Sequence, residues 1–146
     1  MTTNFTYDKL DRILKATNSR GEKRYWYDNG GQDTIGRVTA ISYPGGGIAE
    51  NFGYDATGEK KWARVEVAGQ QFMEKMEYTP AGELQALIFP NGSIQRSVFQ
   101  RGFVKEVTMN GRLIARADRT NVGAAATEMT MGNGCLLYTS PSPRDA

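Results

Sequence analysis

Histidine is absent from the chain, and its only cysteine is Cys135. Without these residues no Ser-His-Asp set, no Cys-His pair and no His-based zinc or iron site can be assembled. Apolar runs are short, far below the roughly 20 residues that a membrane-spanning helix needs. Met1-Thr2-Thr3-Asn4 is neither basic nor followed by an apolar stretch, so no signal peptide or anchor is read there. Charge of one sign is also lacking: 18 basic side chains against 16 acidic give a net charge of +2. That balance supplies no field for nucleic acid or an anionic membrane. Gly45-Gly46-Gly47 is not a phosphate loop, since no Lys-Ser or Lys-Thr follows it. The expectation is a chain with no catalytic residue, no cofactor, no metal, no nucleic-acid partner and no membrane insertion.

What is present is a repeat. Tyr54-Asp55-Ala56-Thr57-Gly58 has counterparts in Tyr7-Asp8-Lys9-Leu10-Asp11, Tyr27-Asp28-Asn29-Gly30-Gly31 and Tyr78-Thr79-Pro80-Ala81-Gly82, with the most degraded in Phe99-Gln100-Arg101-Gly102. Their spacing of roughly 20 to 27 residues lies within the range of stacked supersecondary units. A second signature alternates with the first: Ile41-Ser42-Tyr43-Pro44-Gly45-Gly46, Leu87-Ile88-Phe89-Pro90-Asn91-Gly92 and Met129-Thr130-Met131-Gly132-Asn133-Gly134. Each places two large residues one spacer apart before a Gly-closed cluster, and such clusters supply the positive φ angles of tight hairpin turns. The 17 glycines fit a hairpin-rich protein.

Five hairpins are read. They join 12–17 to 22–28, 37–43 to 48–54, 60–67 to 71–78, 84–89 to 94–98, and 103–109 to 112–117. In the third, Ala63, Val65 and Val67 share an apolar face while Trp62, Arg64 and Glu66 share the other, so one face is expected to be buried and one wet. The fold class is all-β, an array of antiparallel hairpins. Residues 1–134 form the array.

The Tyr-Asp corners with their trailing Gly, and the Pro-Gly-Gly and Pro-Asn-Gly hairpins, resemble the YD-repeat (Rhs) family over roughly Phe5 to Gly134. Ile35-Gly36-Arg37-Val38-Thr39 is a further form that such repeats take. The resemblance implies a curved or spiralling sheet, part of a β-shell that encloses a C-terminal toxin or effector in bacterial toxin delivery. Its partners are then the rest of the same array and the enclosed effector, and its setting is secreted or cell-surface. In the self-cleaving type an Asp-Pro-containing motif follows the array; no such motif occurs here, so the catalytic parts of that system are expected outside this chain. The same resemblance admits a cell-surface adhesin or wall-associated protein that binds carbohydrate.

The candidate residues each carry two readings. Tyr7, Asp8, Tyr27, Asp28, Tyr54, Asp55, Gly58, Tyr78 and Gly82 are the repeat positions. The aspartates are either ligands, for calcium or as a glycosidase pair, or turn residues that accept backbone N–H bonds. Trp26 and Trp62 are either carbohydrate platforms or cross-strand packing partners. Trp62 is also expected over the stem of a basic neighbour. The loop from Asp28 to Ile35 is either a ligand contact or a tolerated insertion.

Residues 135–146 read differently. Cys135-Leu136-Leu137-Tyr138-Thr139-Ser140-Pro141-Ser142-Pro143-Arg144-Asp145 resembles the translation of a sequencing adapter, against the alternative of a natural tail. The stretch lacks alternation and ends in Pro-rich sequence, so a disordered segment is expected from Cys135 onward, after an array truncated at Gly134.

Overall fold

The computed structural model describes residues 2–120 and 126–138. It is all-β and antiparallel, and it divides into two compact units, Met1–Lys75 and Met76–Ala146. The first holds β1 (Asn4–Tyr7), β2 (Ile13–Asn18), β3 (Gly21–Tyr27), β4 (Val38–Ser42), β5 (Ile48–Tyr54), β6 (Lys60–Val67) and most of β7 (Gln70–Tyr78). The second takes the end of β7 and β8 (Leu84–Ile88), β9 (Ile94–Gln100), β10 (Phe103–Met109), β11 (Arg112–Thr120), β12 (Ala126–Met131) and β13 (Leu136–Tyr138). Within each unit strands lie in sequence order, every one beside its predecessor. The five expected hairpins are present at these positions, and β1, β12 and β13 are additional.

Two turn types recur among the reversals. Ala68-Gly69, Arg101-Gly102 and Asn110-Gly111 all have φ between 49° and 80°, the doubly left-handed two-residue turn that matches strand twist. Phe99-Gln100-Arg101-Gly102 therefore holds a tight hairpin turn, not a Tyr-Asp corner. The second type closes four residues. At Asp55, Thr79, Phe89 and Met131 the residue donates its N–H to the carbonyl four positions on, at 2.8–2.9 Å, and its carbonyl accepts from a Gly three positions on.

Alternation predicts one buried face, and here the structure differs. Among the described residues no large side chain is fully buried; the buried apolar residues are Ala86 and Ala117. Val67 and Phe72, on the face expected to be covered, are 39% and 44% exposed. Among the described residues each strand packs chiefly on its neighbours in the sheet, so alternation sets direction without setting burial.

The sequence beyond Gly134 also differs from expectation. Cys135 closes the turn by donating its N–H to Asn133 Oδ1 at 3.0 Å, and Leu136–Tyr138 pairs with Glu128–Thr130. A Gly-closed turn followed by an apolar, β-favouring triplet adds to a strand edge whatever its origin. The rest of the expected tail, residues 139–146, lies outside the described residues.

Candidate functional site

The corners of the first unit share a construction that alternation does not reveal. Pairing slips by one residue just before each corner tyrosine: between Thr6 and Tyr7, between Trp26 and Tyr27, and between Gly53 and Tyr54. The tyrosines then oppose Ile13, Val38 and Lys60 respectively. Such bulges increase local twist and re-aim the side chain that follows.

That side chain links consecutive corners. The Tyr27 hydroxyl donates to the Ile13 carbonyl at 2.9 Å, and the Tyr54 hydroxyl to the Val38 carbonyl at 2.7 Å. Burial raises the hydroxyl pKa of both. Each accepting carbonyl belongs to the residue that opposes the preceding corner's tyrosine. Tyr7, by contrast, is 54% exposed and touches Phe5 across a tilted ring pair 6.5 Å between centroids.

The aspartates act on the backbone. Asp8 Oδ1 accepts from the N–H groups of Leu10 and Arg12 at 2.8 and 3.0 Å. Asp28 Oδ1 accepts from Gly36 at 2.7 Å. Asp55 Oδ1 accepts from Thr57 and Glu59 at 3.0 and 2.9 Å, and from the Thr57 hydroxyl at 2.6 Å. At the fourth corner Thr79 Oγ1 accepts the Glu83 N–H at 3.2 Å, a neutral and longer version of the same bond. Tyr78 precedes it at the end of β7, and Gly82 closes it with φ 81°. Among the described residues no group of Asp, Glu or Cys is arranged to hold a metal.

Arginine is the partner that sequence reasoning missed. Arg12 reaches both neighbouring corners: its Nε lies 2.7 Å from Asp8 Oδ2, its Nη2 2.9 Å from Asp28 Oδ2, and its guanidinium sits 4.3 Å above the Tyr27 ring. These bonds raise the Arg12 pKa, Asp28 foremost and Asp8 next. Arg37 stands 5.6 Å over the Tyr54 ring and donates to the Gly58 carbonyl at 3.3 Å. Gly58 has φ 91°, and a Cβ there would collide with the Arg37 guanidinium. The signal was visible: Arg12 and Arg37 each stand just before the strand that leaves a Tyr-Asp corner.

Trp26 and Trp62 stand apart from these corners, on one face of the unit. Trp26 opposes Ala40, Ala40 opposes Asn51, and Gly53, two residues along from Asn51, opposes Trp62. Two adjoining hollows lie there, of about 340 Å³ beside Trp26 and about 270 Å³ beside Trp62, with Asn29, Ala40 and Asn51 lining both. Trp26 is 39% exposed. Trp62 has Lys75 as its cross-strand neighbour on β7. Its indole covers Gly53, where a Cβ would leave it no room.

The long loop is compact. Thr34, in a single 3-10 turn (Gln32–Thr34), is buried and bonds the Gly31 carbonyl at 2.7 Å. Asn29, Gly30 and Thr34 thereby face the Trp62 hollow.

Fold and corners together define an antiparallel hairpin-repeat array, and solved structures of that kind are similar to it. TcdB2-TccC3-Cdc42 matches with a TM-score of 0.61 and 13% identity. TcdB2-TccC3 without its hypervariable C-terminal region matches at 0.57, and a mutant Photorhabdus luminescens Tc holotoxin pore at 0.60, both also at 13% identity. The matches cover 97–98% of this chain and 10% of the others, so the chain spans about a tenth of their length. The likeness establishes the fold. No family model matches the chain, and no curated protein matches it significantly.

Proposed function

We propose that the chain is a wall segment of a YD-repeat β-shell, structural and non-catalytic, that helps to enclose a C-terminal toxin or effector in a secreted or cell-surface setting. The observation that carries this reading is a hairpin array in which, among the described residues, no large side chain is fully buried: Phe5, Ile48, Phe72, Val98 and Val104 are all 42–53% exposed. A folding domain of this length ordinarily buries such residues in its own interior. A wall leaves them for its contents and its neighbouring turns. The toxin chains that share the fold support the same reading, one of them described as solved without its hypervariable C-terminal region. The mechanism is exclusion: paired strands satisfy their own backbone groups and keep a poorly folded cargo from the cell that makes it.

The test is to sequence the source DNA through the codon for Gly134 to the natural stop. Further Tyr-Asp-x-x-Gly corners in place of Cys135 to Ala146, followed by a variable C-terminal domain, are expected. Cys135 to Asp145 followed directly by a stop overturns both the shell and the adapter origin of the tail.

A further inference from the structure

We propose that Asn29 is a site of spontaneous covalent modification, independent of the shell reading: the backbone nitrogen of Gly30 displaces its side-chain amide as ammonia, and the residue becomes aspartate or isoaspartate. Four Asn-Gly pairs occur in the chain, at 29–30, 91–92, 110–111 and 133–134, and in each the Gly leaves the following nitrogen unhindered by a side chain. Their hydrogen bonds separate them. Asn91 Oδ1 accepts the Ser93 N–H at 2.9 Å, while the Gly92 N–H donates to the Phe89 carbonyl at 2.9 Å. Asn133 Oδ1 accepts the Cys135 N–H at 3.0 Å, while the Gly134 N–H donates to the Met131 carbonyl at 2.8 Å. Asn110 is held at both ends of its amide: Oδ1 accepts the Ile94 N–H at 2.8 Å and Nδ2 donates to Ser93 Oγ at 3.4 Å. At the remaining pair neither the Asn29 amide nor the Gly30 N–H has a hydrogen-bond partner among the described residues. Both residues are exposed, and Asn29 borders the two hollows, which leaves its amide room to turn.

The chemistry needs both freedoms. The Gly30 nitrogen gives up its proton to solvent and its electron pair bonds Asn29 Cγ, closing a cyclic imide; the Cγ–Nδ2 bond breaks, and ammonia leaves with a proton taken from water. Water then opens the ring. Cleavage between the nitrogen and Cγ gives aspartate, and cleavage between the nitrogen and the backbone carbonyl carbon gives isoaspartate, with the chain running through Cγ. No outside oxidant or reductant is needed. Where the glycine N–H already donates, or the amide oxygen already holds an N–H, those bonds must break before the reacting atoms meet, and each adds to the barrier. The products bear on the neighbouring corner, because Asp28 accepts the Gly36 N–H through Oδ1 and pairs with Arg12 through Oδ2. Aspartate at 29 places a second carboxylate beside that pair. Isoaspartate lengthens the main chain by one carbon at the start of the loop that the Asp28–Gly36 bond closes.

The experiment holds the full 146-residue chain at mildly alkaline pH and follows its tryptic peptides by mass spectrometry over time, once in buffer and once in concentrated urea, with fragmentation to locate each change. In buffer the peptide from Tyr25 to Arg37 should gain the mass difference between an amide and an acid, in two chromatographic forms. Its rate should exceed those at Asn91, Asn110 and Asn133 roughly tenfold or more. In urea, which removes the hydrogen bonds but keeps every Asn-Gly pair, the four rates should converge. Asn29→Gln, whose longer side chain closes the ring poorly, should leave that peptide unchanged. A rate at Asn29 no higher than at the other three in buffer overturns the proposal, as does the same ranking in urea as in buffer, or a mass change that persists in Asn29→Gln.

Discussion

The Tyr54 hydroxyl lies 2.7 Å from the Val38 carbonyl, and Val38 is the residue opposite Tyr27. The Tyr27 and Tyr54 corners are thus each tied to the foot of the one before. Tyr54→Phe removes the donor and keeps the ring, so the cost is that of one half-buried hydrogen bond, about 1 kcal/mol. The urea midpoint should fall with the slope unchanged, and Tyr27→Phe should behave alike. Midpoints unmoved in both variants would mean that water replaces the hydroxyls at no cost.

Gly58 meets two demands at once, a φ of 91° and the guanidinium of Arg37 against its Cα. Gly58→Ala should destabilise by about 1–2 kcal/mol from the backbone alone, with the collision adding to it. Arg37→Ala in the same chain relieves the collision but not the backbone strain. A double-mutant cycle should therefore show coupling between the two positions, and strict additivity would contradict the contact.

Acid should loosen the corners. The carboxyl of Asp28 is held below its ordinary value by the Arg12 side chain and then by the Gly36 N–H. That of Asp8 is lowered by the backbone and side chain of Arg12, and that of Asp55 by Thr57 and then the Glu59 N–H. With folded pKa values depressed, the unfolded chain binds more protons as pH falls. Stability present above about pH 4 is then lost as pH drops through the folded values. Thermal melts between neutral and acid pH should show this decline, flattened in Asp28→Asn. Because these groups face solvent, salt should blunt the part that runs through Arg12.

Asn110 sits at φ 50° and accepts the Ile94 N–H at 2.8 Å. Asn110→Gly keeps the conformation and loses the bond, costing on the order of 1 kcal/mol. Asn110→Ala loses both and should cost more. Chemical denaturation of the two variants should rank them in that order, and the reverse order would show that the turn has another geometry.

The strands were legible because Val65 alternates with Arg64 and Glu66, and because Asn110-Gly111 can hardly be anything but a turn. β1 was missed since Asn4–Tyr7 is four residues long, too short for a period to show. β13 was missed since Leu136 to Tyr138 carries no polar alternation. Neither the bulge before each tyrosine nor the reach of Arg12 to Asp28, 16 residues on, has a signature in hydrophobic pattern. Both depend on a one-residue slip in pairing, which side-chain type does not encode. Trp26 and Trp62 were singled out by residue type, but their common face emerges only once the registers of β3 to β6 are joined. The buried face expected from alternation fails for a different reason: burial is a property of what lies opposite a strand, which alternation does not specify.

With no large side chain fully enclosed among the described residues, a substitution on a strand is felt chiefly by its two cross-strand neighbours and not by a shared interior. Most positions are then free to drift, provided that alternation persists and a left-handed residue closes each turn. Lineages can diverge until almost no identity is left while the strand path stays put. Thirteen per cent identity at a TM-score of 0.61 fits a strand path that depends on so few side chains. Likeness among chains of this kind is better sought in the spacing of their corners than in residue-by-residue alignment.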